Sequence, residues 1–319
     1  MNVRRFATGA IYLLSGAVGV LAFIYPFFAS AAADQGGIAH SQDAPLVTAA
    51  LVGLSVVALL VELQGRSLSA KTVAMLGVLV AVTSVLRFLE VAFPMPGGFS
   101  PIFAPIIIAG YVFGGRFGFL MGTFTLVASA LITGGVGPWL PYQMFTAGWA
   151  GLTSGWLRRI MDTVPRSRLV QAIGLSKEGG VRALPSVRHV SGVPPRRTRD
   201  GQNVGGLTIL ILCIFGFIWG LLYGAIINIY FWPFALGPAE QTWAPGIGLG
   251  EMLARYGVFY GVTSLAWDLV RAVGNVVLVL VLGVPMIKAL ERFRRRFNFD
   301  VAGPVRDNSA VKAEARTYA

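Results

Sequence analysis

The sequence predicts an all-α integral membrane protein with about eight transmembrane helices. Of its 319 residues, 55% are hydrophobic and 13% are charged, and the mean hydropathy is +0.70, values typical of membrane proteins. Long apolar stretches alternate with clusters of Lys and Arg, and only Arg87, Arg255 and Arg271 lie outside those clusters. Because membrane proteins retain basic loops on the cytoplasmic side, this alternation predicts the topology.

Eight stretches approach the length of about 20 mainly apolar residues that a membrane span needs. They are residues 8–29, 45–63, 70–93, 101–115, 117–134, 140–158, 206–231 and 259–288.

The first stretch follows Arg4 and Arg5 and resembles a secretory signal peptide, with Ala29-Ser30-Ala31 as a cleavage-like sequence. Its apolar run of about 20 residues exceeds the usual 7–15 of a signal peptide, so we favour an uncleaved anchor over the cleaved alternative. The second stretch returns the chain to Arg66 and Lys71.

The stretch 101–115 is short and carries Pro101 and Pro105, which predicts a kinked or partly re-entrant segment. Residues 159–205 are rich in Arg and Pro and predict a largely disordered cytoplasmic loop. The tail from about residue 298 is similarly polar.

An even number of spans places every basic cluster on the inside. Arg255 is the only Lys or Arg in the predicted outer connections, which are 30–44, 94–100, 135–139 and 232–258. We therefore expect both termini in the cytoplasm and the chain embedded in a membrane.

The formal net charge of +12 is explained by this topology and by contact with anionic lipid, so no nucleic-acid partner is expected. Cys213 is the only cysteine, and His40 and His189 are far apart, which argues against a disulfide framework and a metal site. The sequence contains no G-x-x-x-x-G-K-[ST], H-E-x-x-H or G-x-S-x-G motif. Any ATP hydrolysis is therefore expected on other subunits.

Four ionisable residues lie within predicted spans and away from their cytoplasmic ends, where charges are costly and often functional. Arg87 and Glu90 are three apart on one span, and Asp268 and Arg271 are three apart on another. Each pair can form an ion pair on one helix face, which leaves both mutual neutralisation and ligand binding open. Asn228 and Asn275 are weaker candidates.

The segment 135–144 is the most unusual in the chain, because Pro138 and Pro141 restrict its backbone at the start of a span. Trp139 and Tyr142 suit a membrane interface, and Gln143 would be costly against lipid, so we expect it to face protein or a cavity.

Small residues recur at four-residue spacing, a pattern that lets helix backbones approach closely in lipid. Packing within one bundle explains most such stripes, and contact with another subunit is the alternative for any one of them. The stripes are Ala70/Ala74 with Gly77/Ala81, Gly118/Gly122, Ala147/Gly151/Gly155 and Gly216/Gly220/Gly224.

Three segments, 109–119 (AGYVFGGRFGF), 137–144 (GPWLPYQM) and 267–275 (WDLVRAVGN), resemble the substrate-binding subunits, or S components, of energy-coupling factor (ECF) transporters. These are ABC-type vitamin importers of prokaryotes, so the resemblance implies a location in the plasma membrane of a prokaryotic cell. The resemblance covers about residues 67–296, with 159–205 as an insertion, and it leaves residues 1–66, with two extra helices, and the tail 297–319 outside.

The resemblance implies a six-helix bundle with a vitamin pocket near the outer face, preceded here by the two extra N-terminal helices. It also implies two kinds of partner: a transmembrane coupling subunit and two separate ATPase subunits. The family's Ala-x-x-x-Ala contact with the coupling subunit corresponds here to Ala70 and Ala74, continued by Gly77 and Ala81.

The expected function is capture of a vitamin or vitamin precursor as the transported ligand, without a covalently bound cofactor or catalytic residues. Cobalamin is the favoured substrate, with riboflavin and thiamine as alternatives. The alternative functions are an intramembrane enzyme using Glu90 and Asp268, or a ligand-free scaffold. The residues expected to contact the ligand are Arg87, Glu90, Phe99, Trp139, Tyr142, Gln143, Asn228, Asp268 and Arg271.

Overall fold

A computed structural model describes residues 70–93, 96–163 and 205–297, together with helical positions 10, 13–14, 16–24, 27, 49–50, 53 and 57. The regular structure of the three continuous stretches is entirely helical. The helices are α1 Ala70–Ala92, α2 Phe103–Phe113, α3 Gly115–Thr133, α4 Leu140–Thr163, α5 Gly206–Phe231, α6 Leu249–Thr263 and α7 Leu265–Phe297, with 3₁₀ turns at Pro96–Gly98, Trp232–Phe234 and Ala239–Gln241.

Within the described part of the chain, four helical segments are long and apolar enough to cross a membrane: Ala70–Ala92, Gly115–Thr133, Gly206–Phe234 and Leu265–Arg295. α2 is apolar but short, as its sequence predicted. α4 has the length of a span and a more polar composition. The total of about eight spans stays a prediction, because the stretches 8–29 and 45–63 lie largely outside the described residues.

The predicted last span, 259–288, is wrong at its start. Residues 259–263 belong to α6, which begins at Leu249 within the predicted outer connection, and the helix is interrupted at Ser264 (φ −132°, ψ −27°). α7 then runs from Leu265 to Phe297 through Pro285. Ser264 lies within a mainly apolar stretch and is itself neither Gly nor Pro, so hydropathy alone could not locate the break.

Two further boundaries differ. α4 continues to Thr163, beyond the predicted end at 158, and α7 continues into the basic region to Phe297. The remainder of the predicted loop and the tail from residue 298 lie outside the described residues.

Glycines bring α2, α3 and α4 into backbone contact. A Cβ at Gly110 or Gly118 would overlap the backbone of Gly151, and a Cβ at Gly155 would overlap the backbone of Gly115. Close backbone approach of this kind is how helices associate when lipid competes for apolar side chains. The stripes on α3 and α4 are therefore used for packing within the chain, as expected for most of them.

The Gly216/Gly220/Gly224 stripe joins α5 to α7. A Cβ at Gly220 would overlap Ala272, and one at Gly224 would overlap the carboxylate of Asp268. Between these helices, Asn275 Nδ2 donates a hydrogen bond of 2.9 Å to the carbonyl oxygen of Gly216. Asn275 thus lies in a buried helix contact.

The stripe on α1 differs from the other three, because its members are exposed. A Cβ at Gly77 would have no neighbour within 4 Å. The exposed members of this stripe are Ala70, Ala74, Gly77 and Ala81.

Candidate functional site

Both predicted ion pairs are present at one end of the bundle, which we call the distal end: the end where α1 finishes and α7 begins. Arg87 Nη1 donates to Glu90 Oε1 on α1, and Arg271 Nη1 donates to Asp268 Oδ1 on α7. The spacing of three residues brings the partners to the same face of each helix.

The two pairs converge on Tyr223 of α5. The guanidinium carbon of Arg271 lies 5.0 Å from the centroid of the Tyr223 ring, a cation–π contact. All four charges are close enough to act electrostatically on the phenol, and the Arg271 charge also acts on Glu90. The cluster therefore connects α1, α5 and α7 while carrying no net charge.

Asp268 is the most buried charge of this cluster, with 2% of its surface exposed. Its carboxylate occupies the space left by the absent side chain of Gly224. A buried carboxylate is tolerated only when it is paired, so Arg271 is required where Asp268 is present.

The loop between α1 and α2 closes over the start of α7. Ser100 Oγ donates a hydrogen bond of 2.8 Å to Glu90 Oε2. Gly98 has φ +76°, and a Cβ there would lie 2.6 Å from the carbonyl oxygen of Trp267. The Phe99 ring packs on Gly274. Phe99, predicted to contact ligand, is thus engaged in a contact between the loop and α7.

A polar cavity of about 140 Å³ lies beside this cluster, between the distal ends of α1, α3 and α4. Three of the predicted ligand contacts line it: Arg87, Trp139 and Gln143. Trp139 is 43% exposed and leaves an aromatic surface available at the rim. The other lining residues are Val91, Leu126, Ser129, Ala130, Thr133, Gly135 and Leu140.

Two further predicted contacts lie away from the lining of this cavity. Tyr142 is 1% exposed and stacks on Tyr230, with ring centroids 4.4 Å apart. Asn228 Nδ2 donates a hydrogen bond of 2.6 Å to Ser264 Oγ at the break between α6 and α7. The predicted set therefore divides into a cavity group, an ionic group and these separate contacts.

Sequence reasoning missed Tyr223 and Ser100, which complete the ionic cluster, and Ser129 and Thr133, which line the cavity. A tyrosine or a hydroxyl residue in an apolar run gives no periodic signal. Only the juxtaposition of helices that are distant in sequence identifies them.

The described residues contain no group of three or more His, Cys, Asp or Glu side chains able to hold a metal ion. Glu90 and Asp268, the acids of the enzyme alternative, are each salt-bridged to an arginine of their own helix. That arrangement is typical of mutual neutralisation within a membrane bundle.

Among the described residues, a bundle of apolar helices with a polar cavity at its distal end is the arrangement expected of a membrane-embedded substrate-binding protein. The family model described as "ECF transporter, substrate-specific component" matches residues 71–283. The chain therefore belongs to this family, whose members bind substrate and do not catalyse a reaction. It is a substrate-capture subunit of an ECF-type importer. No curated protein and no solved structure shows significant similarity to the chain.

Proposed function

We propose that this subunit captures a vitamin or vitamin precursor in the distal cavity and delivers it to a separate coupling subunit served by two ATPase subunits. The observation that carries the proposal is the shared lining of the cavity by Arg87, Trp139 and Gln143. These residues supply a cationic donor, an aromatic surface and an amide. Ligand pockets characteristically combine a few such polar groups with apolar and aromatic surface.

The chemistry of the cavity favours a ring compound with a polar edge. The Trp139 indole can stack on a planar ring, while Gln143 and Arg87 donate hydrogen bonds to carbonyl or carboxylate oxygens. Since Arg87 is already paired with Glu90, it presents a partly neutralised charge. A neutral or weakly charged polar edge therefore suits the cavity better than a multiply charged phosphate.

The volume of about 140 Å³ is below the roughly 300–1,000 Å³ usual for ligand pockets. Riboflavin, whose ring system carries carbonyl oxygens, needs this cavity to widen, and the cationic thiamine matches its hydrogen-bond donors less well. The corrin of cobalamin, the substrate favoured from sequence, needs a much larger opening. We therefore rank a small vitamin above cobalamin as the substrate.

The proposed contact with the coupling subunit is the exposed α1 stripe of Ala70, Ala74, Gly77 and Ala81. An apolar groove of about 410 Å³ adjoins it between α1 and α3. A small-residue face beside an apolar groove lets a partner helix approach the α1 backbone closely. The groove is lined by Val73, Leu76, Gly77, Val80, Phe124, Val127, Ala128 and Leu131.

Native mass spectrometry of the full chain, purified in detergent from cells grown in rich medium, tests ligand capture. We expect a retained small molecule, and we expect Gln143→Leu to lower its occupancy by about tenfold or more, because a polar ligand edge loses its hydrogen-bond partner. Gln241→Leu is the matched control, because it makes the same change in the connection between α5 and α6, away from the cavity lining. This variant should keep the ligand.

Persistent absence of any bound compound would contradict capture and favour a scaffold role. Equal loss in both variants would show that ligand retention does not depend on the cavity.

A further inference from the structure

The N-terminal helical residues 16–24 lie against the bundle with one face buried. Phe23 is 6% exposed and Ala22 is equally buried, whereas Leu21 is 64% exposed. One-sided burial of this kind shows that the segment packs along the bundle in a fixed rotational setting. The family match begins at residue 71, so this helix is additional to the family's bundle.

The contact uses Gly19, Phe23 and Phe27, which are four residues apart and therefore share one helix face. A Cβ at Gly19 would lie 2.7 Å from Cδ1 of Phe145 on α4. Phe145 is itself completely buried, so its ring has little freedom to move aside. Gly19 thus sets how closely the N-terminal helix approaches α4.

Phe23 contacts two aromatic residues of α4. Its ring meets Tyr142 edge to face, with centroids 4.9 Å apart, and it lies 5.9 Å from Trp149. Four residues further on, Phe27 meets Trp232 and Trp243 edge to face at 6.0 and 5.8 Å. The aromatic face therefore follows α4 to the connection between α5 and α6.

Tyr142 is held from two directions, because Phe23 contacts its ring and Tyr230 of α5 stacks on it. The next residue in the chain, Gln143, lines the polar cavity. Tyr142 lies in the first turn of α4, directly after the Pro141 position that restricts the backbone. The contacts that hold Tyr142 therefore act on the first turn of α4, which also carries Gln143.

We propose that the first apolar helix is retained as a permanent part of the substrate-binding domain, where Phe23 positions Tyr142 and thereby the Gln143 side of the cavity. This proposal rests on the cavity being the ligand site of the proposed function. Cleavage after Ala31 would remove Phe23 and Phe27 and uncover Tyr142, Phe145 and Trp232. The signal-like sequence therefore serves as a structural helix.

The rate at which N-ethylmaleimide labels Gln143→Cys, in the full chain carrying Cys213→Ser, measures the positioning without any ligand. Adding Phe23→Ala should raise this rate by about fivefold to tenfold, the change expected from losing one aromatic pair. Phe23→Tyr keeps the ring and should restore the original rate. Leu21→Ala, on the exposed face of the same helix, is the matched control and should leave the rate unchanged.

An unchanged rate in Phe23→Ala would overturn the positioning role, as would an equal rise with Leu21→Ala. If Phe23→Ala is not monodisperse on size exclusion, Phe23→Leu, which keeps apolar bulk without the ring, decides the question by the same measurement. The intact mass of the purified chain tests retention, and loss of residues 1–31 would overturn it. Because neither measurement uses a ligand, they are independent of whether a vitamin is captured.

Discussion

Asp268 and Arg271 show how a charge is accommodated deep in an apolar bundle. The sequence spacing predicts each of the two ion pairs, because residues three apart share a helix face. It does not predict that both pairs meet at Tyr223, since α1, α5 and α7 are far apart in the chain. The cluster contains two arginines and two carboxylates, and removing Arg271 would leave the buried Asp268 without its ion-pair partner.

Arg271→Gln should destabilise the chain by about 3–5 kcal/mol, because the buried Asp268 would lose its ion-pair partner. The double variant Asp268→Asn/Arg271→Gln should recover most of that loss, since no charge stays buried. Thermal unfolding in detergent, followed for both variants, measures the difference.

Glu251→Gln provides the control for this measurement. It breaks the exposed pair with Arg255, in which Glu251 is 52% exposed, and exposed pairs contribute about 0.3–0.5 kcal/mol. Its melting temperature should stay close to that of the unsubstituted chain. A double variant as unstable as Arg271→Gln would contradict the neutralisation account.

The predicted ligand contacts show where residue-level reasoning stops. Arg87, Trp139 and Gln143 do line one cavity. Phe99, Tyr142 and Asn228 have equally suitable side chains, yet each is engaged in a helix contact. Their respective partners are Gly274, Tyr230 and Ser264. Side-chain type and depth along the sequence select residues near the distal end, but the partner across the helix interface decides whether a residue reaches the cavity.

Among the helices, α1 is distinguished by the exposure of its small residues. The stripes on α3, α4 and α5 are filled by neighbouring helices of the same chain. All these stripes look alike in sequence, because small residues at four-residue spacing give the same pattern whether the contact is internal or external. The exposure of Ala74 and Gly77 is what separates the α1 stripe from the others.

Ala74→Leu should weaken association with the coupling subunit by about tenfold or more, because a larger side chain keeps the helix backbones apart. The measurement is recovery of an ECF coupling subunit, co-expressed with its ATPases, on the tagged chain. Occupancy of the copurified ligand should not change, since Ala74 is remote from the distal cavity.

Val82→Leu is the matched control, an exposed position on a different face of α1. Equal loss of partner in the two variants would argue against a specific contact through the stripe. Loss of ligand with Ala74→Leu would indicate a general disturbance of the bundle.

α6 illustrates an element that the sequence did not reveal. Most of this helix lies in a stretch that hydropathy predicts to be a connection. A single residue, Ser264, separates it from α7. The break at Ser264 is stabilised by contacts instead of by a helix-breaking residue: Ser264 Oγ accepts from Asn228 on α5, and Thr263 Oγ1 donates to the Phe259 carbonyl oxygen. Such a boundary depends on tertiary contacts, which a hydropathy average over neighbouring residues does not include.

For the whole molecule, the family match extends from residue 71 to residue 283, which is from the start of α1 into α7. α4 has 24 residues and is therefore about 36 Å long, enough to cross a hydrocarbon core of about 30 Å despite its polar composition. Its polar residues are accommodated because the glycine contacts with α2 and α3 bury it among helices instead of lipid. The two ends of α4 are thus expected on opposite sides of the membrane.

That expectation gives the sharpest test of the direction of capture. In a chain carrying Cys213→Ser, a membrane-impermeant maleimide added to intact cells should label Val136→Cys, in the turn before α4, because the basic clusters predict that the distal end faces outside. Thr163→Cys, at the other end of α4, should be labelled only after the cells are permeabilised. Both positions are exposed, so accessibility to the reagent differs between them only through the membrane.

The reverse labelling pattern would place the cavity on the cytoplasmic side and exclude capture from outside. Labelling of both positions in intact cells would mean that α4 does not cross the bilayer.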